Sequence, residues 1–143
     1  MIDQKTAPYA VLLLRVSLGV MFLTHAIVLK VMTFTVPGTV HYFESLGLPG
    51  YFAYLTIAGE ILGGTALVVG FQTRLVAVAV LPILVGALWA HSGNGWVFSA
   101  QGGGWEFPLG LVIAAVVQAL LGDGALAVSK TLSLQQVRAV LAR

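Results

Sequence analysis

The sequence has no cysteine. That excludes disulfides, thiol catalysis, covalently attached haem and cysteine-held iron–sulfur clusters, so any redox chemistry must borrow its electron carrier. Charge is nearly as scarce: only 8% of residues are Asp, Glu, Lys or Arg, against about a quarter in soluble domains. The formal net charge is +2, but a nucleic-acid partner requires cations clustered on a solvated face. Here the cations sit mostly at the ends of apolar runs, so no nucleic acid is expected. No internal repeat and no low-complexity stretch is evident.

What fills the chain instead is apolar: 59% of its 143 residues are hydrophobic and the mean hydropathy is +0.99. That places it among polytopic membrane proteins, as one membrane domain over residues 1–143. Pro8 suits the opening of a helix. The run 9–32 is long enough to cross a bilayer, which takes about 20 residues. It is too long for a signal-peptide core, carries Arg15 and lacks a cleavage site, so it reads as a retained anchor. Val36-Pro37-Gly38 breaks it, and 39–47 has the spacing of a short amphipathic helix at the interface, closed by Gly47-Leu48-Pro49-Gly50. The second span is 51–71, and Gln72-Thr73-Arg74 leaves almost no loop before the third, 75–90, which Pro82 can kink. A glycine-rich loop with Trp96 and Trp105 precedes the fourth span, 106–121. Residues 122–143 form a mildly amphipathic tail.

The expected architecture is therefore an all-α, four-transmembrane-helix up-down bundle with an amphipathic helix in its first outer loop. Lys5, Arg15, Arg74, Lys130, Arg138 and Arg143 fall on one side and Lys30 on the other, which predicts that both termini are cytoplasmic. Gly59, Gly63, Ala66 and Gly70 offer small surfaces for close helix contact, within a protomer or in a homo-oligomer.

Glu60 stands out, because a carboxylate in mid-span is costly and short-armed. At about 1.5 Å rise per residue, His25, Lys30, His91 and Glu106 all fall at outer levels of their spans, which points to an outward-facing polar cluster. Taking 100° per residue, Arg15, Leu18, Phe22 and His25 share one stripe of the first span, with Lys30 on the same broad side. Arg15 lies about two turns or more below His25 and reaches Glu60 only if the spans are staggered.

Each residue also has a plainer reading. Arg15 and Lys30 can snorkel to the interface, Arg74 can be a simple stop, His91 can cap its helix, and His41 with Glu44 can be a solvated pair. Glu106 suits a helix N-terminus on electrostatic grounds, or closes over the cluster from its flexible Gly102-Gly103-Gly104 approach. His25, His91, Glu60 and Glu106 include metal-type ligands, but no ligand spacing supports a site and no metal is expected.

Several of these residues together resemble the DoxX family. They are Arg15-x-x-x-Gly19, His25, Lys30, Leu46-Gly47-Leu48-Pro49, Glu60-x-x-Gly63-Gly64, Gly70-x-x-Thr73-Arg74, His91 and Glu106-x-Pro108. The sequence departs at Ala26, where a glycine is usual, and at Val128-Ser129-Lys130, where the family ends serine-leucine-aspartate. The resemblance implies a four-helix membrane bundle tied to redox or sulfur metabolism, either a quinone-reducing subunit or a membrane partner of a redox enzyme. On that basis Glu60 and His25 are the expected catalytic pair, as proton relay and donor. Arg15, Lys30, His91 and Glu106 are expected to bind substrate, and a quinone is the expected cofactor. The competing readings are a non-catalytic anchor for a soluble redox enzyme and a small-solute or proton transporter.

Overall fold

A computed structural model describes residues 3–129. Every regular element among them is helical: α1 Ala7–Leu23, a π-helix Thr24–Thr33, α2 Val36–Ser45, α3 Tyr51–Val69, α4 Thr73–Ala79, α5 Leu81–His91, a 3-10 turn Ser92–Asn94 and α6 Glu106–Leu121. Among the described residues, three helical stretches are long and apolar enough to cross a membrane: Ala7–Thr33, Tyr51–Val69 and Thr73–Asn94. The chain is thus an all-helical polytopic membrane bundle. The apolar α6 has 16 residues, which rise about 24 Å.

The first span does not remain one α-helix. Beyond Leu23 its ladder widens to bonds five residues apart, as from Phe34 N–H to Leu29 O at 2.8 Å. A threonine stands at each end of this stretch and donates its hydroxyl to the backbone, Thr24 to Val20 O and Thr33 to Val28 O; such bonds compete with the regular ladder. Residues five apart are about 140° apart on an α-helix, but a five-residue turn brings them back to one side. His25 and Lys30 are five apart, so the stripe expected from 100° steps is replaced by a closer alignment.

The amphipathic helix begins three residues earlier than the spacing suggests, because Thr35 caps it by accepting from Gly38 N–H at 3.3 Å. The buried Thr39 hydroxyl is shared between Lys30 O at 2.9 Å and Thr35 O at 3.0 Å. This ties α2 to the end of the first span. Pro82, lacking an N–H for the carbonyl four residues back, interrupts the third span at Val80 between α4 and α5.

Tight packing follows from small residues. At the α1–α3 crossing a Cβ on Gly19 would lie 2.7 Å from Gly64 O, and one on Gly64 2.9 Å from Gly19 O. The two backbones touch there, as membrane helices do when glycines permit. Leu18, Phe22, Leu67, Val80, Leu84 and Ala115 form the core around this contact.

At the end of the bundle that holds the α3–α4 turn, two arginines meet helix C-termini, whose last carbonyls have no partner within the helix. Arg15, 1% exposed, donates through Nη1 to Leu67 O and Val68 O at 3.1 and 3.3 Å, and through Nη2 to Ala125 O at 3.1 Å. Arg74 donates through Nη1 to Ala119 O and Leu120 O of α6. The simple-stop reading of Arg74 and the snorkelling reading of Arg15 are both replaced by capping. Arg15→Gln is expected to lower stability by about 2–3 kcal/mol through unpaired buried carbonyls. Arg15→Lys should restore only part, because an ammonium lacks the planar fork. Unfolding in detergent tests this, and wild-type melting of Arg15→Gln would contradict it.

Residues 125–129 lie along the same end. Ala125 N–H donates to Pro8 O, Val128 N–H to Val69 O and Ser129 N–H to Gly70 O, and Ser129 Oγ accepts from Gln72 N–H at 3.0 Å. The rest of the expected amphipathic tail lies outside the described residues.

Candidate functional site

Lys30 and Glu60 form the centre of the site. Lys30 Nζ donates to both Glu60 oxygens at 2.8 Å, with side-chain exposures of 18% and 7%. Glu60 is the tenth of the 19 residues of α3, while Lys30 comes late in the first span. Helical side chains tilt toward their own N-terminus, so the Lys30 arm leans back into the bundle and meets Glu60 rather than snorkelling outward. Two of the three ammonium protons are committed to Glu60. Such a pair offsets the desolvation of both groups only while both are present.

His25 is half-buried beside this pair and within electrostatic reach of Glu60. Its Nδ1 lies 2.8 Å from Met21 O. A carbonyl can only accept, so Nδ1 carries the proton and Nε2 of the neutral ring keeps its lone pair. The ring stacks on Phe107, with centroids 5.9 Å apart and planes 16° from parallel. An ammonium, a carboxylate, an imidazole acceptor and a flat aromatic surface therefore converge from the first span, α3 and α6.

The other expected site residues are elsewhere. His91 Nδ1 donates to Gly102 O and Gly103 O, both at 3.0 Å, and Asn94 holds the same two carbonyls. Glu106 accepts from Phe98 N–H at 2.7 Å. Both side chains thus organise the 92–105 loop instead of closing over Lys30–Glu60, and Arg15 is spent on α3. Among the described residues no three metal-type side chains gather. Thr39 and Phe107 were not singled out by sequence reasoning. Thr39 read as one polar residue in an amphipathic segment, and Phe107 as another apolar residue in a span.

Two apolar grooves also open on the bundle. One, of about 470 Å³, lies between α3 and the α4–α5 span along Gly59 and Gly63, the face of α3 that packs on Val80 and Ile83. The other, of about 290 Å³, lies between α4–α5 and α6 at Arg74.

Arg15, His25, Lys30, Thr39, Glu60, Arg74 and His91 all fall within residues 10–93, the stretch matched by the DoxX family model. The chain belongs to the DoxX family. A relative of this DoxX chain from Bacillus subtilis (strain 168), named "Putative oxidoreductase CatD", is 36% identical over 85 residues. That match covers 59% of the present chain and 60% of the relative. No solved structure matches.

Proposed function

We propose that this DoxX-family chain is the membrane subunit of a redox system, binding a quinone or a small redox substrate beside the Lys30–Glu60 pair. The observation that carries the reading is the pair itself: two ionisable groups held together inside apolar spans, with an imidazole lone pair and a stacked aromatic ring alongside. Intramembrane ions are costly and mark pathways or relays more often than scaffolding. The oxidoreductase name of the Bacillus relative supports the redox class.

The residues present fit a quinone in kind. Its carbonyls need donors, and Lys30 keeps one N–H beyond those given to Glu60. Its ring needs a flat apolar surface, which His25 and Phe107 supply. When bound, a quinone supplies a carrier of two electrons and two protons. Lys30 positions a carbonyl oxygen and balances negative charge there, His25 Nε2 holds or passes a proton, and Glu60 anchors Lys30 and relays protons. With no cysteine in the chain, electrons come from a partner protein or substrate.

In this reading α6 completes a fourth crossing. Its first turn contacts the 92–105 loop through Glu106 and its last turn receives Arg74 from the start of α4, so it runs beside the whole third span. Both termini then share the cytoplasmic side of the inner membrane.

Protein purified in mild detergent should carry extractable quinone, or take it up when a ubiquinone or menaquinone analogue is added. Glu60→Gln should lower retention about tenfold while the fold persists. If neither preparation binds any quinone, the quinone reading ends. A non-catalytic docking role also has an observation in its favour, the exposed Trp96, Val97 and Phe98 on the 92–105 loop. One soluble enzyme co-purifying equally with both quinone-free preparations would move the assignment there.

A further inference from the structure

The groove at Arg74 lies apart from the Lys30–Glu60 site. It is lined by Arg74, Val78, Leu81, Val116, Ala119 and Leu120, and every member except the arginine is apolar. Val78, Val116 and Leu120 are exposed along it. In a membrane-spanning bundle, a furrow open on that flank faces lipid. Arg74 stands at its end, at the level where α6 stops, because its Nη1 donates to the carbonyls of the last turn.

That guanidinium is only half used. Both Nη1 protons go to neutral carbonyls, Nε is buried without a hydrogen-bond partner, and Nη2 has no hydrogen-bond partner among the described residues. Nη2 packs close to Gly122, where a Cβ would stand only 2.8 Å from it, so a side chain at that position would displace the guanidinium. A cation with unspent donors at the mouth of an apolar furrow complements an amphiphile with an anionic head. A guanidinium N–H to a phosphate oxygen is a charge-assisted hydrogen bond, stronger than one between neutral groups.

From this we infer that the furrow between α4–α5 and α6 is a binding site for an anionic phospholipid, with its phosphate at Arg74 and one acyl chain along Val78, Leu81, Val116 and Leu120. The site sits at the end of the bundle that holds the α3–α4 turn, independent of any quinone chemistry. Anionic headgroups are drawn to basic residues at a membrane surface. Occupation brings a second partner to the end of the short α6.

The test titrates the full chain in detergent with phosphatidylglycerol and with phosphatidylcholine of identical acyl chains, read by native mass spectrometry. Phosphatidylglycerol should bind about tenfold more tightly, and Arg74→Gln should abolish that difference. Val78→Trp fills the furrow without touching the Arg74–carbonyl bonds, and should weaken phosphatidylglycerol binding about tenfold. It decides the matter alone if Arg74→Gln fails to fold. Equal affinity of the two lipids for the wild type overturns the proposal, and so does a preference untouched by Val78→Trp. Glycerol phosphate competing as strongly as the whole lipid would mean a free-phosphate site instead. A dimer that buries the furrow and excludes lipid would assign it to a second copy of the chain.

Discussion

Lys30→Met is expected to destabilise the protein by about 3–5 kcal/mol, the cost of stranding one member of a buried ion pair. Glu60 would then keep a carboxylate at mid-span on a short side chain, with His25 the remaining group in electrostatic reach among the described residues. Glu60→Gln should cost about half as much on the same grounds. The amide still accepts from Lys30, and the longer, partly exposed lysine can swing toward the membrane surface. The double variant Lys30→Met/Glu60→Gln leaves no unpaired charge and should recover most of the single Lys30 loss. A double-mutant cycle of unfolding in detergent measures this coupling. Additive losses across the cycle would mean that the pair does not act as a unit. The asymmetry also makes Glu60→Gln the variant suited to the quinone experiment, since it removes the acid while sparing the fold.

Gly19→Ala and Gly64→Ala should each destabilise by about 1–3 kcal/mol, because neither added methyl group finds room. The obstacle at each site is backbone oxygen of the facing helix, which cannot rotate away as a side chain could. Relief requires α1 and α3 to move apart. The contact lies between the Arg15 cap and the Lys30–Glu60 pair, so separation at this fulcrum strains both. Gly19→Leu should therefore abolish quinone retention as well as lower the melting temperature. Gly86 is the control: nothing lies within 4 Å of a Cβ there, so Gly86→Ala in mid-helix should be neutral or slightly stabilising. If Gly19→Ala melts like Gly86→Ala, the helices are not in the contact described.

Much of the architecture was legible beforehand. Apolar runs bounded by Gly and Pro located the helices to within a few residues, and 106–121 coincides with α6. Pro82 marked the interruption at Val80, because its missing donor is a property of the residue itself. The π-helix was not legible, since it depends on which carbonyl each N–H and threonine hydroxyl selects, and neighbouring ladders differ little in energy. The same change of ladder brought Lys30 into closer alignment with His25 than 100° steps give, and whether Lys30 snorkels or pairs could not be read from spacing.

Composition and periodicity alone established a cysteine-free, helical membrane protein, and the cost of ions in hydrocarbon marked Glu60 as the residue to explain. Those are local quantities, written into each segment whatever its neighbours do. Only the tertiary structure decided that Lys30 answers Glu60, that Arg15 and Arg74 cap α3 and α6, and that the His91 and Glu106 side chains hold the 92–105 loop. Each of those partnerships joins different segments, mostly far apart in the chain. Their register is set by where Gly19 and Gly64 let two backbones touch and by how the π-helix turns the first span, and no single segment encodes either.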